Sequence, residues 1–300
     1  MLSFKSIINK ASLYALGFTT IFTSCNSDND TSEVNLMDIA SGTSVAFVYS
    51  DQKLQDFFLQ PDKAYVSGYF YFEEDLADDI IFGLDIEWLE GVDNPLHFEG
   101  ADWMSLVGIT RKGILWFPVG SSEIFQGTPS ADLSWEIRDL GFDLSPNNWY
   151  KMIIECDFDK REFKSVKIEG NGINITEDIS GFLLEYPNFA PFDKPSLTFY
   201  TFAIRSKEFA PDNNGGTKVY FDDIEGGISV GNSFETVFSN GFENQSQIID
   251  IPVTLPTIKL DDVNENFWYF ENDIAKIKIN SIHSNNGSKS IECDATLVAQ

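Results

Sequence analysis

The sequence predicts an all-β protein, an antiparallel two-sheet β-sandwich, and three observations carry that expectation. Runs dense in aromatic and β-branched residues recur along the chain, as in Tyr65, Val66, Tyr69, Phe70, Tyr71 and Phe72. Within several runs the apolar residues fall on alternate positions, the period of a strand with one buried face. Turn residues separate the runs, and helical periodicity is hard to find. Many strands with spaced turns make a sandwich, and 300 residues with 27 phenylalanines are ample to fill its core.

Taken in chain order, the first element is an export signal. Residues 1–10 are short and basic through Lys5 and Lys10, and residues 11–24 are uncharged and largely apolar. That run is too short to cross a bilayer, which needs about 20 apolar residues, and it suits the core of a signal peptide spanning 1–24. It ends in Ile21, Phe22, Thr23, Ser24 and Cys25, which resembles a bacterial lipobox, with Phe22 where leucine is usual. The resemblance implies lipidation of Cys25 and anchorage to a membrane. Residues 25–40 form a flexible acidic tether without the apolar content to pack. Its Asp28, Asp30 and Glu33 resemble the acidic export signal of surface lipoproteins of the Bacteroidota. Display on the outer membrane surface is the expectation, with retention on the periplasmic face as the alternative.

The main domain is expected over 41–230. Within 82–88 the apolar Phe82, Leu84, Ile86 and Trp88 alternate with Gly83, Asp85 and Glu87, so one face is core and the other a solvated acidic face. Residues 113–119 make another apolar run. From 147 to 175 two hairpins follow, turning at Asp159-Lys160-Arg161 and at Gly170-Asn171-Gly172. In them Trp149 is expected to wedge between the sheets, and residues 217–224 read as a last strand. Asn148-Trp149-Tyr150 leading into a hairpin, with the closing Val219-Tyr220-Phe221-Asp222-Asp223-Ile224, resembles the concanavalin A-like lectin and glucanase jelly roll. Galactose-binding-like carbohydrate modules close on a similar strand. The resemblance covers roughly residues 44–230 and implies a sandwich with a concave, sugar-gripping face. Over 231–300 the pattern restarts: Asn240-Gly241-Phe242-Glu243 resembles the opening strand of such modules, and 287–291 their next strand. This stretch is either a second, partial β module or a set of strands completing the first.

Composition narrows the partners. Lys+Arg number 20 against 47 Asp+Glu, for a net charge of −27, or about −29 once Lys5 and Lys10 are removed with the signal. Such a surface repels phosphate backbones, which argues against nucleic acid, and it favours neutral polysaccharide over anionic glycans. After Cys25 only Cys156 and Cys293 remain, both on alternating strand patterns and expected as buried thiols, and the two histidines, His97 and His283, give no zinc spacing.

Three groups of residues are candidates for function. Asp85, Glu87 and Glu90 have the spacing of the laminarinase-like E-x-D-x-x-E motif with its first two acids exchanged. A retaining glycosidase needs two carboxyls about 5–5.5 Å apart. Asp85 and Glu87 share a strand face, while Glu90 has the opposite parity. Trp103, Trp116 and Trp135 lie near turns and are the candidates for stacking on sugar rings. Asp222 and Asp223 with Asp157 and Asp159 are the candidates for a structural calcium, which jelly rolls of the resembled type often hold. Adjacent Asp222 and Asp223 point opposite ways on a regular strand and reach one ion only through a local distortion. The leading reading is a membrane-anchored, non-catalytic polysaccharide binder. A glycoside hydrolase using Asp85, Glu87 and Glu90 and a structural or adhesive surface protein are the alternatives.

Overall fold

A computed structural model of the chain describes residues 39–49, 54, 56–57, 60–89, 102–120, 134–185, 194–206, 215–244, 267–270 and 277–296. The signal segment, Cys25, most of the tether and Glu90 lie outside them. Sixteen strands are present among the described residues. They are β1 (Ile39–Tyr49), β2 (Lys63–Phe72), β3 (Ile80–Leu89), β4 (Asp102–Met104), β5 (Val107–Thr110), β6 (Ile114–Val119), β7 (Ser134–Asp139) and β8 (Tyr150–Asp157). They continue as β9 (Glu162–Gly170), β10 (Ile173–Asp178), β11 (Ser196–Ser206), β12 (Lys218–Val230), β13 (Ser233–Asn240), β14 (Phe267–Phe270), β15 (Ile277–Asn280) and β16 (Ser290–Asp294).

All strand pairs are antiparallel, and they form two sheets packed as a jelly-roll sandwich. Sheet I runs β14-β1-β11-β3-β5-β6-β7, with β4 also on β3. Sheet II runs β10-β9-β8-β2-β12-β16-β15, with β13 also on β12. The hairpin expected at Asn171-Gly172 is there: Gly170 pairs with Ile173, and Asn171 and Gly172 have φ of 46° and 83°. These are the left-handed values that a two-residue hairpin turn needs and that Asn and Gly tolerate.

The strand expected over 217–224 is present as β12, and it is not the last, because β13 to β16 follow it. β12 is central in sheet II, bonded to β2 on one side and to β13 and β16 on the other. Strands after Gly231 enter both sheets, β14 beside β1 and β16 beside β12. Asn240-Gly241-Phe242 lies at and beyond the end of β13 rather than opening a strand.

The main core fills the space between the sheets. From sheet I it takes Phe82, Leu84, Ile86, Trp88 and Phe199, and from sheet II Phe70, Met152, Ile154, Phe163 and Phe221. Cys156 and Cys293 are buried thiols within it, not joined in a disulfide. A second apolar cluster covers the other face of sheet I: Ile81, Met104, Leu106, Trp116, Phe202 and Ile204, with Trp135 packed against it. Both faces of β3 are therefore closed, and all ten of its residues are buried.

At one end of sheet I the Arg205 guanidinium donates to both Asp79 oxygens, at 2.5 and 3.1 Å, and both side chains are buried. Removing one partner of such a pair strands a charge without solvent. Asp79→Ala is therefore expected to lower unfolding stability by about 3–5 kcal/mol in urea titrations. Asp79→Leu combined with Arg205→Met is expected to recover most of that loss.

Candidate functional site

The alternation of β3 decides what each sheet I face carries. Leu84, Ile86 and Trp88 point into the main core, so Gly83, Asp85 and Glu87 occupy the outer face. The register of β11 places Phe202, Tyr200 and Thr198 beside them, and Ser196 beside Leu89. Gly83 pairs with Gly108, and Gly108 with Trp116. A Cβ at Gly83 would sit 2.0 Å from the Val107 carbonyl oxygen, so this position admits no side chain.

Asp85 and Glu87 are not a solvated acidic face: their exposures are 0% and 6%. Alternation fixes which face they take, but the second apolar cluster removes that face from water. Burial raises the Asp85 carboxyl well above the usual range, reinforced by the neighbouring Glu87 carboxylate. Burial also lifts Glu87, to about 7, even though the Tyr200 hydroxyl hydrogen-bonds to it and favours its charged form. Both carboxyls are thus pushed toward their neutral forms.

Around this pair, buried polar atoms lack partners. The hydroxyls of Ser196 and Thr198 are fully buried and make no hydrogen bond. Neither Asp85 oxygen has a partner of good geometry, although the Glu87 carboxyl and the Ile86 and Ser105 amides lie close enough to act on it. Buried polar groups are almost always satisfied, so unsatisfied ones converging on one face mark a place where a polar ligand or water is missing its partners. Sequence reasoning passed over Ser196, Thr198 and Tyr200. Their signal was the alternation of Ser196, Thr198 and Tyr200 with Leu197 and Phe199, the same period that exposed Asp85 and Glu87 to notice.

The three candidate tryptophans do not form a row. Trp116 and Trp135 do meet on the outer face of sheet I, stacked at 3.9 Å between ring centroids and 13° between planes. Trp116 is fully buried and Trp135 half-buried, with Ile137 beside it 48% exposed, so the face meets solvent at its β7 edge. Trp103 belongs to the main core instead. It pairs with Trp88 across β4, and the Arg161 guanidinium lies 4.0 Å from the Trp103 ring and 4.4 Å from that of Trp88. Trp149 does not wedge between the sheets: its ring contacts Tyr71 on the outer side of sheet II.

The four aspartates proposed for calcium are not brought together. Asp157 pairs with Lys63 at one end of β2 and Asp222 with Tyr69, six residues along, which is roughly 20 Å. Asp157 is held by the Lys160 and Lys164 ammonium groups at 3.4 and 3.7 Å, and Asp159 is exposed. The distortion that Asp222 and Asp223 need does exist. A bulge interrupts the β12–β2 register between Asp222 and Glu225, with Asp223 at φ 48°. It turns both acids onto one turn of the chain. Asp222 accepts the backbone N–H groups of Asn285 and Asn286 at 2.7 and 3.3 Å, and Asp223 accepts the Asn285 amide at 3.1 Å. Carboxylates already aimed at N–H donors do not present a cation with its oxygen shell, and no metal-holding group of three or more acids, histidines or cysteines occurs among the described residues. The residues present do not fit calcium.

The buried pair makes stability depend on pH. Glu87 binds its proton more tightly folded than unfolded, so its contribution is complete below pH 4.5 and is lost as pH rises through about 7. The loss is of the order of 3 kcal/mol. Thermal melts from pH 4 to 8 are expected to show this decline in the wild type and a flatter profile in Glu87→Gln, whose amide still accepts from Tyr200. Parallel profiles would show that the pair is already ionised.

No family model matches the chain, and no curated protein matches it. Solved structures similar to it include a scytalido-glutamic peptidase bound to a peptide-based transition state analog. That similarity has 10% identity, covers 86% of this chain and 98% of that one, and has a TM-score of 0.37. An alginate lyase from Pseudomonas aeruginosa is similar at 12% identity over 57% of this chain and 67% of that one, TM-score 0.30. A GH16 protein of the Bacteroides ovatus mixed linkage glucan locus is similar at 11% identity over 48% and 56%, TM-score 0.26. At TM-scores below 0.5 these likenesses carry no argument about activity, and the two-sheet architecture rests on the strand pairing itself.

Proposed function

We propose that this chain is a lipid-anchored, exported protein of the concanavalin A-like type that binds a neutral polysaccharide without cleaving it, through the outer face of sheet I entered from its solvent-exposed β7 edge. The observation that carries this reading is the set of buried polar atoms without partners on that face. Asp85, Thr198 and Ser196 supply unmet hydrogen-bonding capacity beside Glu87 and Tyr200. Hydroxyl groups of a sugar donate and accept in just this way, and a site built around unpaired buried groups discriminates strongly against ligands that cannot pair them. Trp116 lies two strands and Trp135 three strands from β3, roughly 10 and 14 Å, and their stack offers an aromatic surface at the solvent edge.

Binding is favoured over hydrolysis by the surroundings of the acids. Retaining and inverting glycosidases keep their carboxyls about 5–5.5 Å and 6.5–9.5 Å apart, with the scissile bond between them. Asp85 and Glu87 are both buried and both pushed toward the neutral form, whereas a retaining pair needs one ionised nucleophile open to the sugar. The neighbouring outer-face positions on β3 are Gly83, where no side chain fits, and Leu89.

Affinity electrophoresis through mixed-linkage β-glucan, glucomannan and starch tests the reading. Retardation by at least one polysaccharide is expected, weakened about tenfold or more in Glu87→Gln and in Trp135→Ala, with no reducing sugar released on prolonged incubation. Sugar release abolished by Glu87→Gln would establish the hydrolase instead.

The anchor is tested separately. Cys25→Ser is expected to move the protein from the membrane to the soluble fraction and to abolish incorporation of a palmitate analogue. Unchanged membrane association would reject it.

A further inference from the structure

We propose that the outer face of sheet I takes the end of a polysaccharide chain and not its middle, with the terminal ring at Asp85, Glu87 and Thr198 and the rest of the chain leaving across β7. The proposal rests on the glycan reading of that face and names the part of the ligand that it recognises.

Exposure falls across the face in one direction. On β7, Ile137 is 48% exposed, Asp139 is exposed and Trp135 is half-buried, as is Ile114 beside them on β6. One register row runs inward from Ile137 to Trp116, Gly108 and Gly83, and on to Phe202 of β11. From Trp116 onward the whole row is buried. So is every described outer-face residue of β5, β3 and β11, Thr110, Asp85, Glu87, Tyr200 and Thr198 among them. Among the described residues, therefore, the face opens at its β7 edge and is closed beyond β6.

A polymer bound by its interior must enter a face and leave it again, which takes a groove open at both ends. A face open at one edge admits a free end alone. The aromatic and polar groups are distributed to match. Trp135, stacked on Trp116, stands at the open edge, where it can cover a ring on its way in. The unmet hydroxyls of Ser196 and Thr198 lie at the closed side with Asp85. The distance from β7 to β3, roughly 14 Å, leaves room for a few linked rings between the opening and the acids.

Chemistry also separates an end from an interior. A terminal ring keeps a hydroxyl where an interior ring carries a glycosidic oxygen. The hydroxyl both donates and accepts, whereas the bridging oxygen only accepts. Ser196, Thr198 and Asp85 have hydrogen-bonding capacity to fill, while Glu87 already accepts from Tyr200. An interior ring pairs fewer of these buried groups than a terminal one, and a buried site built for a hydroxyl rejects the ligand that lacks it.

Isothermal titration calorimetry tests this with whichever of mixed-linkage β-glucan, glucomannan and starch retards the wild type most. The polysaccharide is used intact and after enzymatic cleavage to about one-tenth of its length, at equal mass. Recognition of ends is expected to raise the protein bound per gram about tenfold in the cleaved sample, because ends are counted and length is not. Equal binding per gram assigns the site to chain interiors and overturns the proposal, while the glycan reading stands. Thr198→Val keeps the shape of the side chain and, once shown to be folded by circular dichroism, is expected to bind the cleaved sample about tenfold more weakly. Wild-type affinity in Thr198→Val and in Glu87→Gln places the end elsewhere on the molecule and overturns the proposal. Absence of binding to all three polysaccharides overturns both readings.

Discussion

The double burial of β3 is the constraint on which the rest of the molecule depends. A strand with both faces covered normally reads as a near-continuous apolar run. β3 does not: every second residue after Ile81 is Gly83, Asp85 or Glu87, on a face closed by Trp116, Phe202, Met104 and Leu106. Two carboxylates in that setting cost far more than they return unless they neutralise, and burial pushes both in that direction. A cheaper sequence for this position is easily imagined, since apolar residues would satisfy the packing. Its retention of acids, next to hydroxyls that find no partner, is where local consistency breaks, and such breaks concentrate at functional sites.

Much of the fold was legible because alternation and turn chemistry are local. Residues 82–88 announce a strand, assign Trp88 to the core, and place Asp85 and Glu87 together. Asn171-Gly172 announces its hairpin. What lay on the far side of each face was not legible. The same alternation that separates Asp85 from Ile86 is satisfied equally by water and by a second apolar layer, and only the covering segments decide between them. Trp103 illustrates a finer limit. It shares a neighbourhood with Trp116 in the sequence, yet pairing with Trp88 sends it into the opposite core. Parity within a three-residue strand such as β4 is set by its partner, and the partner is not encoded locally.

The position of β12 was hidden for a related reason. Its edges are satisfied by strands from opposite ends of the chain, β2 before it and β16 after it, and no pattern within residues 217–224 distinguishes a central strand from a closing one. The bulge at Asp222–Asp223 was anticipated only as a requirement for metal binding. Its product is different in kind. By turning both carboxylates onto Asn285 and Asn286, it fixes a turn of the chain whose other end, at Ser288 and Lys289, is held by N–H donation to Glu243. The acids do the work of a clamp, using backbone donors as the cation.

That clamp links the acidic signature at Asp222-Asp223 to the aromatic surface. His283 lies two residues before Asn285, and its ring reaches Tyr71 and Tyr220 only because the turn is pinned against the sheet. The Ser290 hydroxyl donates to the His283 carbonyl at 2.6 Å and tightens the same segment from the other side. The two outer faces of the sandwich thus differ: sheet I keeps polar groups buried and unsatisfied, while sheet II packs Tyr71 and Tyr220 against the His283 ring. A strongly acidic exterior is compatible with both. At physiological salt its field fades within about 8 Å, and it acts on charged competitors rather than on neutral ligands.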